Sequence, residues 1–492
     1  MGRPIERVWL GLEIGTQGVR AAAFDANGVR LGAGKAPRPP RSPEAGAMIH
    51  LPDLDWWEGA REALVQALSG IRPQRIAGVG LAGLFPAVCL VGPDGRARTP
   101  GILYGDQRTL TATDFVEERL AGEDLDGDEV SPRLVELLRT LPQAALDDSL
   151  ALGPAGYLGL RLTGVPSIDP HSASRWGGLV GSGGRSWDTG AATSLGIPAS
   201  TLPRIVAPGR MLGATTADAA SATGIPAGVP VVAATTDSLA TMLGAGVVRS
   251  GDALAYYGST GTLLLVTMDL EQALAQPEAH GAATPYRRVA HATGSGLFAQ
   301  FVRRELLGGV DHETLNAEAA TVSAGSEGVL VVPYLSGRLL PTPAPGLRAG
   351  IAGIGIGHHR GHVWRAVLEA FGWVLMGAQQ DGQSRASEIQ RVTAAGGGAR
   401  SKVWRDIVSD MTGWPQLVAP TDATVRGAAF LAAQALSGPS FGELAERWLA
   451  DQVDGTAADR APDHAATERY RALLPAWTRL VEAFVALGEQ AR

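Results

Sequence analysis

The sequence predicts an α/β protein made of two halves, each opening with a strand, a glycine-bearing turn and a second strand. Three observations carry this expectation. A unit at residues 8–25, turning at Gly15-Thr16-Gln17-Gly18, partly recurs at 253–266, turning at Gly258-Ser259-Thr260-Gly261. Apolar runs of strand length alternate with helix-length stretches, as in mixed α/β chains. The chain has 492 residues, 45% of them hydrophobic, enough to fill more than one core. The division is expected at residue 245, giving domains 1–245 and 246–492.

Taken in order, Val8-Trp9-Leu10-Gly11-Leu12 reads as a buried strand and 19–25 as its partner, with Asp25-Ala26-Asn27-Gly28 turning into a third at 29–32. A Pro-rich loop precedes an amphipathic helix at about 55–68. Strands follow at 76–81 and 87–91, the second leaving through Gly92-Pro93-Asp94-Gly95. Residues 110–162 read as mainly helical. From there to about Gly228, strand signals are absent and Gly, Ser, Pro and Ala mark loop with short helices. A strand returns at 231–234, with a helix from Asp237. The second half carries strands at 253–257, 262–266 and 391–394, and helices at 300–307, 362–379 and 402–412.

Composition removes several classes of function. The net charge is −7 with no basic stripe, which argues against a nucleic-acid binder. The single cysteine, Cys89, excludes a disulfide framework and a Cys-rich zinc site, and its apolar neighbours predict a buried, inert thiol. The apolar stretch after Val8 ends at Glu13 without a leader's cleavage region, and no run has the length of a membrane span, so a cytoplasmic protein is expected. Neither Lys35 nor Lys402 stands in a G-x-x-x-x-G-K-[ST] loop, so any ATP is handled without that device.

Four segments carry chemistry. In Glu13-Ile14-Gly15-Thr16-Gln17-Gly18-Val19-Arg20, a tight turn presents N–H groups and hydroxyls that can cradle phosphate oxygens, behind an acid that is costly to bury unless paired or metal-bound. An ordinary hairpin with a surface acid is the other reading. Gly258-Ser259-Thr260-Gly261-Thr262 is a similar turn in the second half, too weak to interpret alone. In Ala395-Gly396-Gly397-Gly398-Ala399-Arg400, the glycines let a flat ring approach the backbone, or simply form a flexible loop. Asp237, in Thr235-Thr236-Asp237-Ser238, stands where a reactive carboxylate or a plain helix N-cap would; spacing alone favours the cap.

Other signals are discounted. Gly78-Val79-Gly80-Leu81-Ala82-Gly83 matches a dinucleotide fingerprint, but no helix follows it. His358, His359 and His362 open a helix, where capping or packing outweighs metal binding. The acidic run at 123–129 has the wrong spacing for a calcium loop.

The four segments, in this order and spacing, resemble the FGGY carbohydrate kinases, relatives of actin and hexokinase. The resemblance covers nearly the whole chain. It implies two RNase H-like domains flanking a catalytic cleft, with sugar mainly on the first and nucleotide mainly on the second. Glu13–Arg20 resembles the family's first phosphate motif, D-x-G-T with a following basic residue, and Gly258–Gly261 its second. Gly396–Arg400 resembles its adenosine motif, and Arg426-Gly427-Ala428-Ala429 its packing segment. The ATP contacts so implied are Gly15, Thr16, Gln17, Arg20, Gly258, Ser259, Thr260, Gly261, Gln300, Gly396, Gly397, Gly398, Ala399 and Arg400. Asp237 is implied as the general base, with Mg²⁺ between the phosphates and the acids Glu13 and Asp237, mostly through waters.

For the sugar, the resemblance points to Leu84, Phe85, Pro86, Asp106, Arg108 and Asp237, near the paired Trp56-Trp57. Three departures stand out. Glu13 replaces the usual Asp, Leu84-Phe85-Pro86-Ala87 stands where xylulokinases carry Q-M-H-G, and His50-Leu51-Pro52-Asp53 replaces E-Q-D-P. The implied activity is ATP-dependent phosphorylation of a small sugar, with a ketopentose such as xylulose first. A polyol, aldonate or deoxy-sugar kinase is the alternative, and a catalytically weak nucleotide-binding sensor is the alternative of another class. A homodimer is common among similar proteins, though no segment demonstrates one.

Overall fold

The unbroken apolar run after Arg7 forms strand β1 (Val8–Gly15), buried at every position. A run without alternation is what a strand covered on both faces requires. It pairs antiparallel with β2 (Gly18–Phe24), which pairs antiparallel with β3 (Arg30–Pro37). On its other edge β1 runs parallel to β4 (Ile76–Gly83). With β5 (Met211–Ala214) and β6 (Pro230–Val232) the sheet runs β5-β6-β4-β1-β2-β3, and β7 (Thr235–Thr236) also pairs with β4. This computed structural model describes residues 7–120, 129–142, 148–181, 184–275, 284–453 and 460–490, so the acidic run at 123–129 lies, but for Glu129, outside the described residues.

The second sheet repeats the first. Strands β8 (Asp252–Tyr257), β9 (Gly261–Val266) and β10 (Tyr286–Ala292) form an antiparallel meander, and β11 (Arg391–Ala395) and β12 (Gln416–Val418) extend it in parallel from β8. Its order, β10-β9-β8-β11-β12, is the order β3-β2-β1-β4-β6 over again. Each sheet has its own core, around Leu10, Leu12, Val79, Leu81 and Tyr157 in one and Tyr257, Leu263, Trp364, Phe371 and Trp373 in the other.

The chain divides into two units, but not into two continuous stretches. Unit 1 comprises Met1–Gly246 with Leu270–Thr284 and Asp422–Ala450, and unit 2 comprises Val247–Asp269, Pro285–Thr421 and Asp451–Arg492. Part of the stretch 246–492 thus groups with the first: the helix Ala423–Leu436 packs on β1, β4 and the helix Asp237–Gly244 in unit 1. Its seat is backbone against backbone. A Cβ on Gly11 would lie 1.8 Å from the Val425 carbonyl oxygen, one on Gly80 1.7 Å from that of Ala428, and one on Gly427 1.8 Å from that of Ala240. Gly80, the centre of the discounted dinucleotide match, is thus a packing glycine in a strand.

The region predicted to lack strands holds three short ones, Ser167–Ile168, Arg204–Ile205 and β5, and the stretch predicted as mainly helical contains Leu150–Leu152. Runs of two to four residues carry too little alternation to be read from sequence. The helix expected from Gln300 begins at Ser295 and ends at Phe301, followed by a wider turn Val302–Leu306. Among the described residues, no helix is long and apolar enough to cross a membrane.

Candidate functional site

In unit 1, β1, β4 and β7 run parallel and end together. Glu13 pairs with Ala82, Ile14 with Gly83, and Thr236 with the same Gly83. Just beyond those ends come the Gly15–Gly18 turn, Leu84 and Asp237. The carboxyl ends of parallel strands are where open α/β sheets place their ligands.

Glu13 is 2% exposed and stands opposite Arg20 in the β1–β2 register. Arg20 Nη2 donates to Glu13 Oε1 at 2.6 Å, while Glu13 Oε2 is buried without a hydrogen-bond partner. The surface-acid reading is therefore overturned. In the turn itself, Gln17 is exposed and Thr16 half-buried, and the Gln17 carbonyl accepts from the Arg38 amide at 2.9 Å. Gly18 has φ +142°, and a Cβ there would meet the Ala36 carbonyl oxygen at 2.2 Å, so the turn admits no side chain at that point.

Asp237 is the first residue of its helix, but the cap is Thr236, whose φ of −67° and ψ of 154° are non-helical and whose Oγ1 accepts from Leu239 N at 3.2 Å. The cap reading favoured by spacing thus fails, by one residue. Freed of that task, the half-buried Asp237 carboxyl accepts from the Ser238 amide at 2.8 Å. Burial, reinforced by the neighbouring Glu13 carboxylate, pushes it up to about 7, with Ser238 and Arg20 pulling the other way. A carboxyl poised near neutrality holds or releases a proton with little free-energy cost.

The donors suit a hard cation held in part by the protein. Mg²⁺ takes one or two carboxylates and completes its shell with phosphate oxygens and water. Glu13 Oε2, an orphaned buried oxygen beside Asp237, matches that demand. Among the described residues, no group of three His, Cys, Asp or Glu side chains forms a closed cage.

In unit 2 the two glycine turns abut. Gly258 follows β8, Gly396 follows β11, and these strands are parallel neighbours; a Cβ on Gly396 would meet the Tyr257 carbonyl oxygen at 2.7 Å. The Gly258 turn closes on itself through Gly258 N to Thr260 O, 3.0 Å. It is held from outside by the helix Ser295–Phe301: the Gly296 and Leu297 amides donate to the Gly258 and Ser259 carbonyls, each at 3.0 Å. Gln300 is exposed on that same helix. Gly397 and Arg400 are exposed, Ala399 is buried, and a Cβ on Gly398 would meet the Trp404 ring at 2.6 Å. Trp404 in turn packs edge-on against Tyr257, the last residue of β8, at 5.4 Å.

The residues implied for the sugar are placed less favourably. Leu84 belongs to the unit 1 core with Ile14, Phe85 packs on a neighbouring apolar cluster, and Pro86 is buried. Asp106 is 4% exposed and spent locally, accepting from Met48 N and, through both oxygens, from Arg108. Arg108 also reaches Glu44 at 2.7 Å. Trp56 and Trp57 are buried, with the Arg161 guanidinium 4.4 Å over the Trp57 ring.

The discounted signals resolve as packing and capping. His359 accepts from Gly361 N at 3.1 Å and His362 Nδ1 from His359 N at 3.2 Å, a reciprocal cap on the helix Arg360–Gln380. Cys89 is fully buried, and burial pushes its thiol up. What the sequence reading missed is the supporting layer: Thr236 as cap, and the Ser295 helix that grips the second turn. A Thr directly before an Asp at a strand–helix junction was the available signal for the first.

Comparison with known proteins agrees with this geometry. Residues 8–244 match the N-terminal domain of the FGGY family of carbohydrate kinases and residues 255–436 its C-terminal domain. The chain is 26% identical over 419 residues to a xylulose kinase of Escherichia coli strain K12, covering 82% of this chain and 85% of that one. It is 30% identical over 455 residues to a glycerol kinase of Alkalilimnicola ehrlichii, covering 87% and 90%. The crystal structure of xylulose kinase from Rhodospirillum rubrum superposes with a TM-score of 0.80 at 25% identity, covering 98% of this chain and all of that one.

Proposed function

We propose, from the premise that this chain belongs to the FGGY family of carbohydrate kinases, that it transfers the γ-phosphoryl group of ATP to a hydroxyl of a ketopentose such as xylulose, with Asp237 as general base. Membership makes it a phosphotransferase acting on a sugar, with ATP as donor and the two-domain α/β fold of the actin and hexokinase ATPases. The observation that carries the assignment of the base is the Asp237 carboxyl, poised at about 7 and relieved of capping by Thr236.

Asp237 orients the acceptor hydroxyl and takes its proton as the phosphoryl group moves. The transition state is loose, so placement and charge neutralisation carry most of the catalysis. In unit 1, Gly15, Thr16, Gln17 and Arg20 receive phosphate oxygens. In unit 2, Gly258, Ser259, Thr260, Gly261 and Gln300 are assigned to the phosphates, and Gly396, Gly397, Gly398, Ala399 and Arg400 to the adenosine. Glu13 and Asp237 would hold Mg²⁺, which supplies neutralisation of phosphate charge when bound.

A second reading, a kinase for a polyol, aldonate or deoxy-sugar, is favoured by Leu84, Phe85 and Pro86. Their side chains are apolar and packed inward, offering no hydrogen bond to a pentulose hydroxyl. In that case Asp106, Arg108 and Asp237 carry the polar contacts.

ADP release from Mg²⁺–ATP across ketopentoses, aldopentoses, hexuloses, polyols and aldonates decides between these readings. Turnover of one compound, reduced about 10²–10⁴-fold in Asp237→Asn, is the expected result. ATP binding without turnover of any compound would instead favour a nucleotide sensor.

A further inference from the structure

Two buried hydroxyls that no step above uses meet beside the helix that begins at Asp237. Thr241 is 5% exposed, lies one turn along that helix and donates its O–H to the Asp237 carbonyl at 2.7 Å. Thr424 is 6% exposed and lies in the first turn of the helix Ala423–Leu436. Its Oγ1 stands 2.8 Å from Thr241 Oγ1. A carbonyl only accepts, and a hydroxyl has one proton to give. Thr241 gives its proton to Asp237, so Thr424 is the donor to Thr241, and the chain runs from Thr424 through Thr241 to the Asp237 backbone.

The contact around this pair is otherwise smooth. A Cβ on Gly244 would lie 1.8 Å from the Ala423 carbonyl oxygen, and Ala240 packs on Ala428 and Ala82. Glycine and alanine faces bring two backbones together, but they lack the side-chain ridges that fix how one helix turns or slides on the other. A satisfied buried hydrogen bond selects one arrangement. The helix Ala423–Leu436 also packs on β1, the strand that carries Glu13, so it sets the place of Asp237 against that of Glu13. All of these elements lie in unit 1.

We propose that Thr424 is a positioning residue for phosphoryl transfer: through Thr241, its hydroxyl fixes the first turn of the Asp237 helix, and with it the carboxylate, against the strand that carries Glu13. This rests on the reading of Asp237 as the general base.

Two substitutions at one position separate placement from packing. Thr424→Val keeps the shape and loses the donor; Thr424→Ser keeps the donor and loses a methyl group. The readouts are kcat and the KM for ATP with D-xylulose and Mg²⁺–ATP, the urea midpoint, and an NMR titration of the Asp237 carboxyl, which needs no sugar. Thr424→Val is expected to lower kcat about tenfold, as a misplaced reacting group does, with the KM for ATP within about twofold. It should also move the Asp237 titration midpoint. Thr424→Ser should keep the wild-type kcat and titration midpoint although it unfolds at lower urea, for want of the buried methyl. A kcat that follows the urea midpoint instead of the hydroxyl, or wild-type values in Thr424→Val, overturns the proposal. Thr241→Val should be at least as slow, and adding Thr424→Val to it should lower kcat no further, because the chain is already broken. Asp237→Asn separates the layers. If it leaves kcat unchanged, the base reading fails and this proposal with it; if it lowers kcat while Thr424→Val does not, Thr424 alone is misassigned. Should D-xylulose not be turned over, the carboxyl titration decides, and a midpoint that Thr424→Val leaves in place counts against the proposal. Should Thr424→Val fail to fold, Thr241→Val against Thr241→Ser repeats the comparison, and equal kcat and midpoint in those two overturn it.

Discussion

Glu13 and Asp237 stand close enough for the Glu13 carboxylate to reinforce burial in lifting Asp237 to about 7, while Arg20, bonded to Glu13 at 2.6 Å, pulls Asp237 back down. The acidity of the proposed base is therefore set by a balance of neighbours that substitution can tip either way. In the wild type, kcat/KM should fall about tenfold per pH unit below the Asp237 midpoint, because only the carboxylate accepts a proton. Glu13→Gln removes the like charge and should move that midpoint down. Arg20→Met removes the opposing charge and should move it up. pH–rate profiles of the three proteins check this, and midpoints that coincide would falsify the coupling.

The same shift makes Asp237 a burden on the fold. The unfolded chain releases this proton near 3.8 and the folded chain near 7, so between those values the folded state binds the extra proton. Stability from this group is therefore lost as pH rises through that window, and the penalty is constant above it. Asp237→Asn should melt higher than wild type at pH 8, with the gap closing toward pH 4. A variant that melts lower at pH 8 would show the carboxylate to be structurally required.

Much of this was legible because the informative units are local. Glu13 and Arg20 are joined by one short antiparallel turn, so the sequence places them opposite each other before any tertiary structure forms. Both strand–turn–strand units, and the helix from Lys402, follow from apolar runs and glycines close together in the chain. What could not be read depends on distance or on a single dihedral. Thr236 and Asp237 are both capping residues, and only the extended backbone at Thr236 assigns the task. The return of the helix Ala423–Leu436 to unit 1 is written in glycines far apart in sequence, and Leu84, a side chain the resemblance aims at a sugar, is claimed by the core.

Those glycines make the third prediction. Gly427 lies in a helix, where alanine is normally the better residue by up to about 1 kcal/mol. Here a Cβ would sit 1.8 Å from the Ala240 carbonyl oxygen, a backbone atom that yields only if the helix Asp237–Gly244 moves. Gly427→Ala should destabilise by about 1–3 kcal/mol or more, as overpacking does, and should displace Asp237 with its helix. Gly442→Ala, in the helix Phe441–Val453 with nothing within 4 Å of its Cβ, should leave stability unchanged or slightly raised. Urea unfolding of both variants, with activity of Gly427→Ala below urea, separates crowding from propensity.

In unit 2 a fully buried carboxylate, Glu369, acts as a polar anchor. Its carboxylate accepts from Arg365 Nε at 2.9 Å, Tyr470 OH at 2.6 Å, Gly325 N at 2.9 Å and Ser326 Oγ at 2.8 Å. Through Tyr470 it ties the helix His464–Gln490 to the helix Arg360–Gln380. Glu369→Ala would leave the buried Arg365 guanidinium without its counter-charge and three further donors without their acceptor, so a loss of about 3–5 kcal/mol is expected. The exposed pair Arg360–Glu318 is the control, because water replaces what Glu318→Ala removes. Denaturation midpoints together with amide exchange over 464–490 distinguish the outcomes. A Glu369→Ala midpoint no lower than that of Glu318→Ala would mean that packing of Trp373 and Trp477, not the buried carboxylate, holds the last helix in place.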